Sequence, residues 1–253
     1  MQNHNASATV PVGMIDILDA GSRTVIEVIA RAEQKKRTAY AMHVGALHSL
    51  TDVKFVAAMQ SADVVYADGA AVVVLARVAG GKKIERAATT DIGLPLLMNI
   101  ALALNRPVRV VIIGGEMGVA DDAASALEAF SNQIEIVLST HGFHENYSSI
   151  FGLMRETKPD VVIVGLGMPY EAKWVAENYA DLPEALIFTC GGWLGFLAGN
   201  ELRAPKWMQL SGLEWLFRLS QSPQRLWRRY IVGIGLVVRL LPAQFRARNR
   251  VEA

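Results

Sequence analysis

Asp68 ends the stretch VVYADG, where an apolar run stops at a carboxylate followed by glycine. A carboxylate at the end of a buried strand can take a proton from a bound hydroxyl, as a general base does. The same dipeptide also makes an ordinary Asp-Gly turn, and the local sequence suits both readings. Glycine-rich turns recur at GGEMGVA (114–120), GLGMP (165–169) and CGGW (190–193). Each follows an apolar run, and at a strand-to-helix turn the backbone N–H groups and the helix N-terminus favour a phosphate. One such turn is a common connection. Three on one edge point to a small anionic ligand, naturally a nucleotide or nucleotide-sugar, with Gly114, Gly115, Glu116, Gly118, Gly165, Gly167 and Pro169 as candidate contacts. The spacing is not G-x-G-x-x-G, and the acidic residue that would hold a dinucleotide's ribose is missing.

No D-x-D pair is present to bridge a diphosphate through a metal ion. Asp121 and Asp122 fall early in a helix, where negative charge is favourable. No metal and no cofactor are expected, so positive side chains would stabilise a departing diphosphate. Arg86 and Asp91 share the segment IERAATTDIG, which reads as a surface ion pair or as a substrate contact. His43 and His48 follow an early strand and suit either the cleft or a core or turn role. The histidines lack the helical spacing of a metal site.

The elements that must position these groups are read from pattern. VVYADG (64–69), VRVVIIGG (108–115), IEIVLSTHG (134–142), DVVIVGLG (160–167) and ALIFTCGG (185–192) are uninterrupted apolar runs, as a parallel sheet covered on both faces requires. Ala-rich helical stretches alternate with them. The expectation is an α/β fold: a Rossmann-like core with a mostly parallel sheet over 12–200, after a polar, disordered start at 1–11. Ligands of such sheets bind beyond the carboxyl ends of the strands.

After about residue 200 the rhythm changes to two helices. Ser222 and Pro223 suit an N-cap and first helical position, and Pro242 marks the expected end. In the second helix Arg225, Arg228 and Arg229 share one face, while Leu226, Tyr230, Ile234, Val237 and Leu241 form an apolar stripe. Residues 201–253 carry 10 Lys/Arg against 3 Asp/Glu, although the whole chain is only +1. A basic, aromatic, amphipathic segment suits an interface of lipid and phosphate. A helix packed on the body with solvated arginines is the plainer reading. Nucleic acid ranks last, since no binding motif is present and the body is acidic.

The chain has 253 residues, 52% of them hydrophobic, enough for one large core. Its single cysteine, Cys190, cannot form an internal disulfide and fits a reducing cytoplasm. The start lacks the features of a signal peptide, and the apolar run YIVGIGLVV is too short to span a bilayer. The expectation is a soluble or peripheral protein, with enough apolar surface on the body to support self-association.

The ordered blocks ADVVYADGAAVVVLAR, ERAATTDIG, VVIIGGEMGVA, PDVVIVGLGMPYEAKW, GGWLGFLAGNELRAPKW and GLEWLFRLSQSPQRLWRRY resemble the WecG/TagA/CpsF glycosyltransferases, family 26, over about residues 12 to 230. The C-terminal block is the most specific. The resemblance implies an inverting, metal-independent bacterial enzyme of surface polysaccharide synthesis. It would move a sugar from a UDP-sugar to a lipid-linked acceptor, commonly an undecaprenyl-diphosphate-sugar, at the cytoplasmic face of the membrane. It makes Asp68 the base and Arg86 a substrate contact. It brings Arg218, Arg225 and either Arg228 or Arg229 toward the diphosphate, and gives 201–253 a role in membrane contact and active-site completion. Two places depart from the family pattern. Tyr170, Glu171 and Ala172 stand where Lys, Gln and Glu are usual, so Glu171 replaces a substrate-binding amide, and Thr89 replaces a glycine. These changes bear on which sugar is accepted. One alternative is a membrane-docked, non-catalytic UDP-sugar-binding partner of another transferase. The other is a soluble NAD-dependent oxidoreductase.

Overall fold

The computed structural model describes residues 8–31, 36–210, 213–221 and 223–251. A hairpin of β1 (Thr9–Val12) and β2 (Ile15–Leu18) comes first, followed by α1 (Ser22–Ala30). β3 (Arg37–Met42) leads through α2 (Val44–Leu47) and α3 (Val53–Gln60) to β4 (Val64–Ala67). Then come α4 (Ala70–Val78), α5 (Thr89–Leu104), β5 (Val108–Gly114), α6 (Val119–Phe130) and β6 (Ile134–Thr140). α7 (Ser148–Glu156), β7 (Val161–Gly165), α8 (Tyr170–Asn178) and β8 (Leu186–Thr189) complete the alternation. The chain continues through α9 (Trp193–Leu197), α10 (Lys206–Leu210), α11 (Glu214–Gln221) and α12 (Pro223–Val251).

β3 to β8 form one parallel sheet in the order β4-β3-β8-β7-β5-β6. The two-residue alternation of strand side chains explains why the runs are apolar throughout. Val111, Ile113, Val162, Val164 and Ile187 face one core, shared with α3, α4, α7 and α8. Val110, Ile112, Val161, Ile163 and Phe188 face the other, shared with α1, α5 and α6. All ten are at most 1% exposed, and each such side chain contributes roughly 1.5–3 kcal/mol. The Rossmann-like α/β expectation therefore holds.

Three boundaries need correction or comment. β1 starts at Thr9, inside the segment expected to be disordered; its Val10 and Val12 are buried and pair with β2. Residues 1–7 and Ser222 lie outside the described residues. Pro242 does not end the last helix, which runs on to Val251. Proline within a helix removes one hydrogen bond and crowds the preceding turn, but burial on both sides of it offsets that cost. Leu240 and Leu241 pack on the core just before it. Just after it Gln244 is 2% exposed, and with its amide oriented by its surroundings the nitrogen donates to Pro11 O and the oxygen accepts from Gly13 N, both at 2.9 Å.

α12 lies on the body, against α4, α2 and β1. A side chain at Gly233 would run into Val44 Cγ2, so glycine sets how closely α12 approaches α2. Gly233→Val is expected to cost about 1–3 kcal/mol, the usual price of overpacking, read as a lowered midpoint in urea unfolding.

Candidate active site

All six strands of the parallel sheet end at one cavity of about 1120 Å³. His43 follows β3, Asp68 β4, Gly115 β5, Gly142 β6, Leu166 β7 and Cys190 β8, and all line it. So do the first residues of helices: Val44 of α2, Ala70 of α4, Thr89 of α5, Tyr170 of α8 and Trp193 of α9. Helix N-termini carry partial positive charge and free N–H groups. Three of them, at the longer helices α4, α5 and α8, bring that partial charge to the cavity edge. The far wall comes from the C-terminal helices, through Trp215, Arg218, Leu226, Tyr230 and Ile234.

Asp68 is half-buried at this edge. Its Oδ1 accepts the N–H of Thr89 at 2.9 Å, so the residue after β4 caps the start of α5. Thr89 Oγ1 lies 3.4 Å from Asp68 Oδ2 and 2.8 Å from the Tyr66 hydroxyl. Burial pushes the Asp68 carboxyl up to about 7; the Thr89 N–H, Arg218 and Arg86 pull the other way. A carboxylate with such a value is matched to proton abstraction near neutral pH. The Cys190 thiol is buried and held well above its ordinary value by that burial.

The arginines divide. Arg86 and Arg218 both line the cavity. Arg218 lies over the Gly191–Gly192 turn, with Nη2 3.1 Å from the point a Cβ on Gly192 would occupy, and its guanidinium covers the Phe196 ring at 5.0 Å. Arg86 forms the ion pair with Asp91 that its spacing suggested, at 2.8 Å, and a second with Glu214 at 2.9 Å. Arg228 is exposed, lies over Trp227 and does not line the cavity. The side chains of Arg225 and Arg229 lie outside the described residues.

The glycine turns also divide. Gly115, Glu116, Gly165 and Gly167 line the cavity, while Gly114, Gly118 and Pro169 do not. Gly114 has φ +148, and a side chain there would strike the Gly165 carbonyl, so it serves the close approach of the turns after β5 and β7. Glu171, read as a pocket residue, is instead fully buried behind the surface. Its Oε2 accepts Gly167 N–H at 3.0 Å and Gly191 N–H at 3.2 Å, tying two glycine turns together. His43 caps α2: its Nδ1 accepts Gly45 N–H at 3.0 Å, which leaves the neutral ring's proton on Nε2, facing Gly191. His48 is the C-cap of α2, beside Gly233 of α12, and does not line the cavity.

Sequence reading missed Thr89 as the partner of Asp68, and it missed Glu214, Glu201 and Lys173 at the cavity. A threonine opening a helix after the Arg86 segment was the available signal for the first. Glu214 and Arg218 are four apart on one helix face, a spacing that joins them to one site. Among the described residues, no three His, Cys, Asp or Glu side chains converge as a metal site requires.

A parallel sheet whose strand ends gather a half-buried carboxylate, guanidinium groups and helix N-termini around one cavity has the layout of an enzyme's substrate site. The sequence matches the glycosyl transferase WecG/TagA/CpsF family over residues 10–251. The chain belongs to that family and is a glycosyltransferase. It is 28% identical, over 74% of its length, to 71% of an N-acetylglucosaminyldiphosphoundecaprenol N-acetyl-beta-D-mannosaminyltransferase of Bacillus subtilis strain 168. A protein of the same name from Bacillus spizizenii is 27% identical over 72% of this chain and 70% of its own.

Proposed function

We propose that this protein transfers a sugar, with inversion and without a metal ion, from a UDP-sugar to a polyprenyl-diphosphate-linked sugar. The observation that carries the reading is Asp68, half-buried in a cavity that Arg86 and Arg218 also line, with a carboxyl pushed up to about 7 by burial. Asp68 takes the proton of the acceptor hydroxyl as that oxygen attacks the anomeric carbon. The bond from that carbon to the diphosphate oxygen breaks with its electron pair on the oxygen, and UDP departs. Arg218 and the surrounding helix N-termini balance the charge that develops there. The glycine turns at Gly115 and at Gly165 and Gly167 admit the nucleotide's backbone-close contacts. The relatives' names supply the acceptor class, and N-acetylhexosamine donors are the first to try.

The same reading seats the protein on the inner face of the membrane through its last helices. Among the described residues, no helix is long and apolar enough to cross a bilayer. α12 nonetheless exposes Trp227, Ile231, Val238 and Phe245, beside the Leu226, Tyr230 and Ile234 wall of the cavity. An apolar face next to basic side chains suits the headgroup boundary. The double variant Ile231→Glu, Val238→Glu is expected to lose anionic-liposome binding by roughly tenfold or more in sedimentation assays. Its turnover of a short, water-soluble acceptor should stay near wild type.

The deciding experiment incubates the purified protein with a panel of UDP-sugars and a short polyprenyl-diphosphate-N-acetylglucosamine, with and without a chelator. Mass spectrometry should find one added sugar from one donor in both arms. No product from any donor overturns the reading, and product lost with the chelator overturns its metal independence.

A further inference from the structure

The two arginines that line the cavity are not equally available. Arg218 gives Nη2 to Glu201 at 3.1 Å, but its Nε is buried with no hydrogen-bond partner among the described residues. Arg86 has each terminal nitrogen on a carboxylate, Nη1 on Glu214 and Nη2 on Asp91. Asp91 is also paired with Arg203 at 2.7 Å, so its charge is shared. Glu214 is the more buried partner of Arg86, with its side chain 12% exposed, and it lines the cavity.

We propose that Glu214 is a resident counter-ion for Arg86, standing where a phosphate of the substrate will stand, and that its displacement loosens α11 from the core. The proposal rests on reading the cavity as a diphosphate site. A diphosphate entering between Arg218 and Arg86 brings negative charge against Glu214 in a partly buried space, where like charges repel strongly. Arg86 exchanges one anion for the other on Nη1 and keeps Asp91 on Nη2, so its partly buried charge stays matched in both states. The consequence reaches the helix. α11 packs on α10 and α12, and its polar ties to the rest of the chain run through Glu214 to Arg86, through Arg218 to Glu201, and through Gln221, whose carboxamide pairs with the Leu202 backbone. Glu214 and Arg218 lie four apart on one face. Release of Glu214 removes the tie at the first turn of the helix that carries Arg218, while the Gln221–Leu202 pair holds its far end, and substrate binding sets the position of that guanidinium. Glu214 is thus a positioning residue.

The test is Glu214→Gln, which keeps shape and removes charge. Calorimetry with UDP and with inorganic pyrophosphate should show binding about fivefold tighter than wild type, because a competing ion pair is gone. Hydrogen exchange across 214–221 in the ligand-free variant should rise to the level of UDP-saturated wild type, while Glu214→Asp stays close to ligand-free wild type. A merely structural role predicts faster exchange with equal or weaker binding, and that result overturns the proposal. Exchange equal to ligand-free wild type overturns it too. If wild type binds neither probe, the diphosphate reading fails by itself, and the proposal that rests on it is overturned with it.

Discussion

Replacing Asp68 by Asn is expected to lower kcat by about 10²–10⁴-fold, the usual contribution of a positioned general base, with UDP affinity retained. Asparagine keeps an oxygen for the Thr89 N–H, which now meets Asp68 Oδ1 at 2.9 Å, so the start of α5 stays capped. The wild-type protein should lose kcat/KM with unit slope as pH falls through about 7, where the Asp68 carboxyl takes up its proton. The variant should lack that limb. Stability supplies a second, independent reading. An acid raised from 3.8 to about 7 holds its proton more tightly in the folded chain. Its contribution lowers stability as pH rises between those values, and the full cost is present above the upper one. Asp68→Asn should therefore melt higher than wild type in mildly alkaline buffer, with the gap closing toward about pH 4. A fully active variant would remove Asp68 from the chemistry.

Arg218→Ala is expected to reduce kcat by about 10²–10³-fold, the effect of deleting one preorganised group that meets developing charge. UDP should also inhibit it more weakly. The pH profile distinguishes this from general damage. Arg218 is the first charge among those pulling the Asp68 carboxyl down, so its loss should move the acid limb to higher pH. Arg218→Lys restores charge without the planar fork and should fall between, with the limb near its wild-type position. An unshifted limb in the alanine variant would separate Arg218 from Asp68.

Most of the sheet was legible because its strands, apart from the edge strand β6, are buried on both faces and so are written as largely unbroken apolar runs. The hairpin of β1 and β2 was not. Its strands are four residues each, and its burial depends on packing against β4, α3, α4 and α12, all distant in the chain. Pro242 misled for the same reason. A proline's local cost is visible in sequence, but the burial of Leu241 and Gln244 that offsets it is not.

Within the site, the sequence determined which residue types stand at the strand ends: Asp68 before a glycine, and glycines after β5, β7 and β8. Those are local facts, set by where apolar runs stop. The tertiary structure decided what each does. It left Gly114 as a backbone spacer, and put Gly115 in the cavity wall. It drew Glu171 behind the wall to bind two backbone amides, and set Arg218 in the cavity while leaving Arg228 outside. It also made Thr89, which reads as a departure from the family pattern, the partner of Asp68. Partnerships across 20 to 130 residues depend on which helix ends the sheet order brings together. Chain spacing carries no record of that, because a turn's chemistry is written in its own residues and its partners are written in the fold.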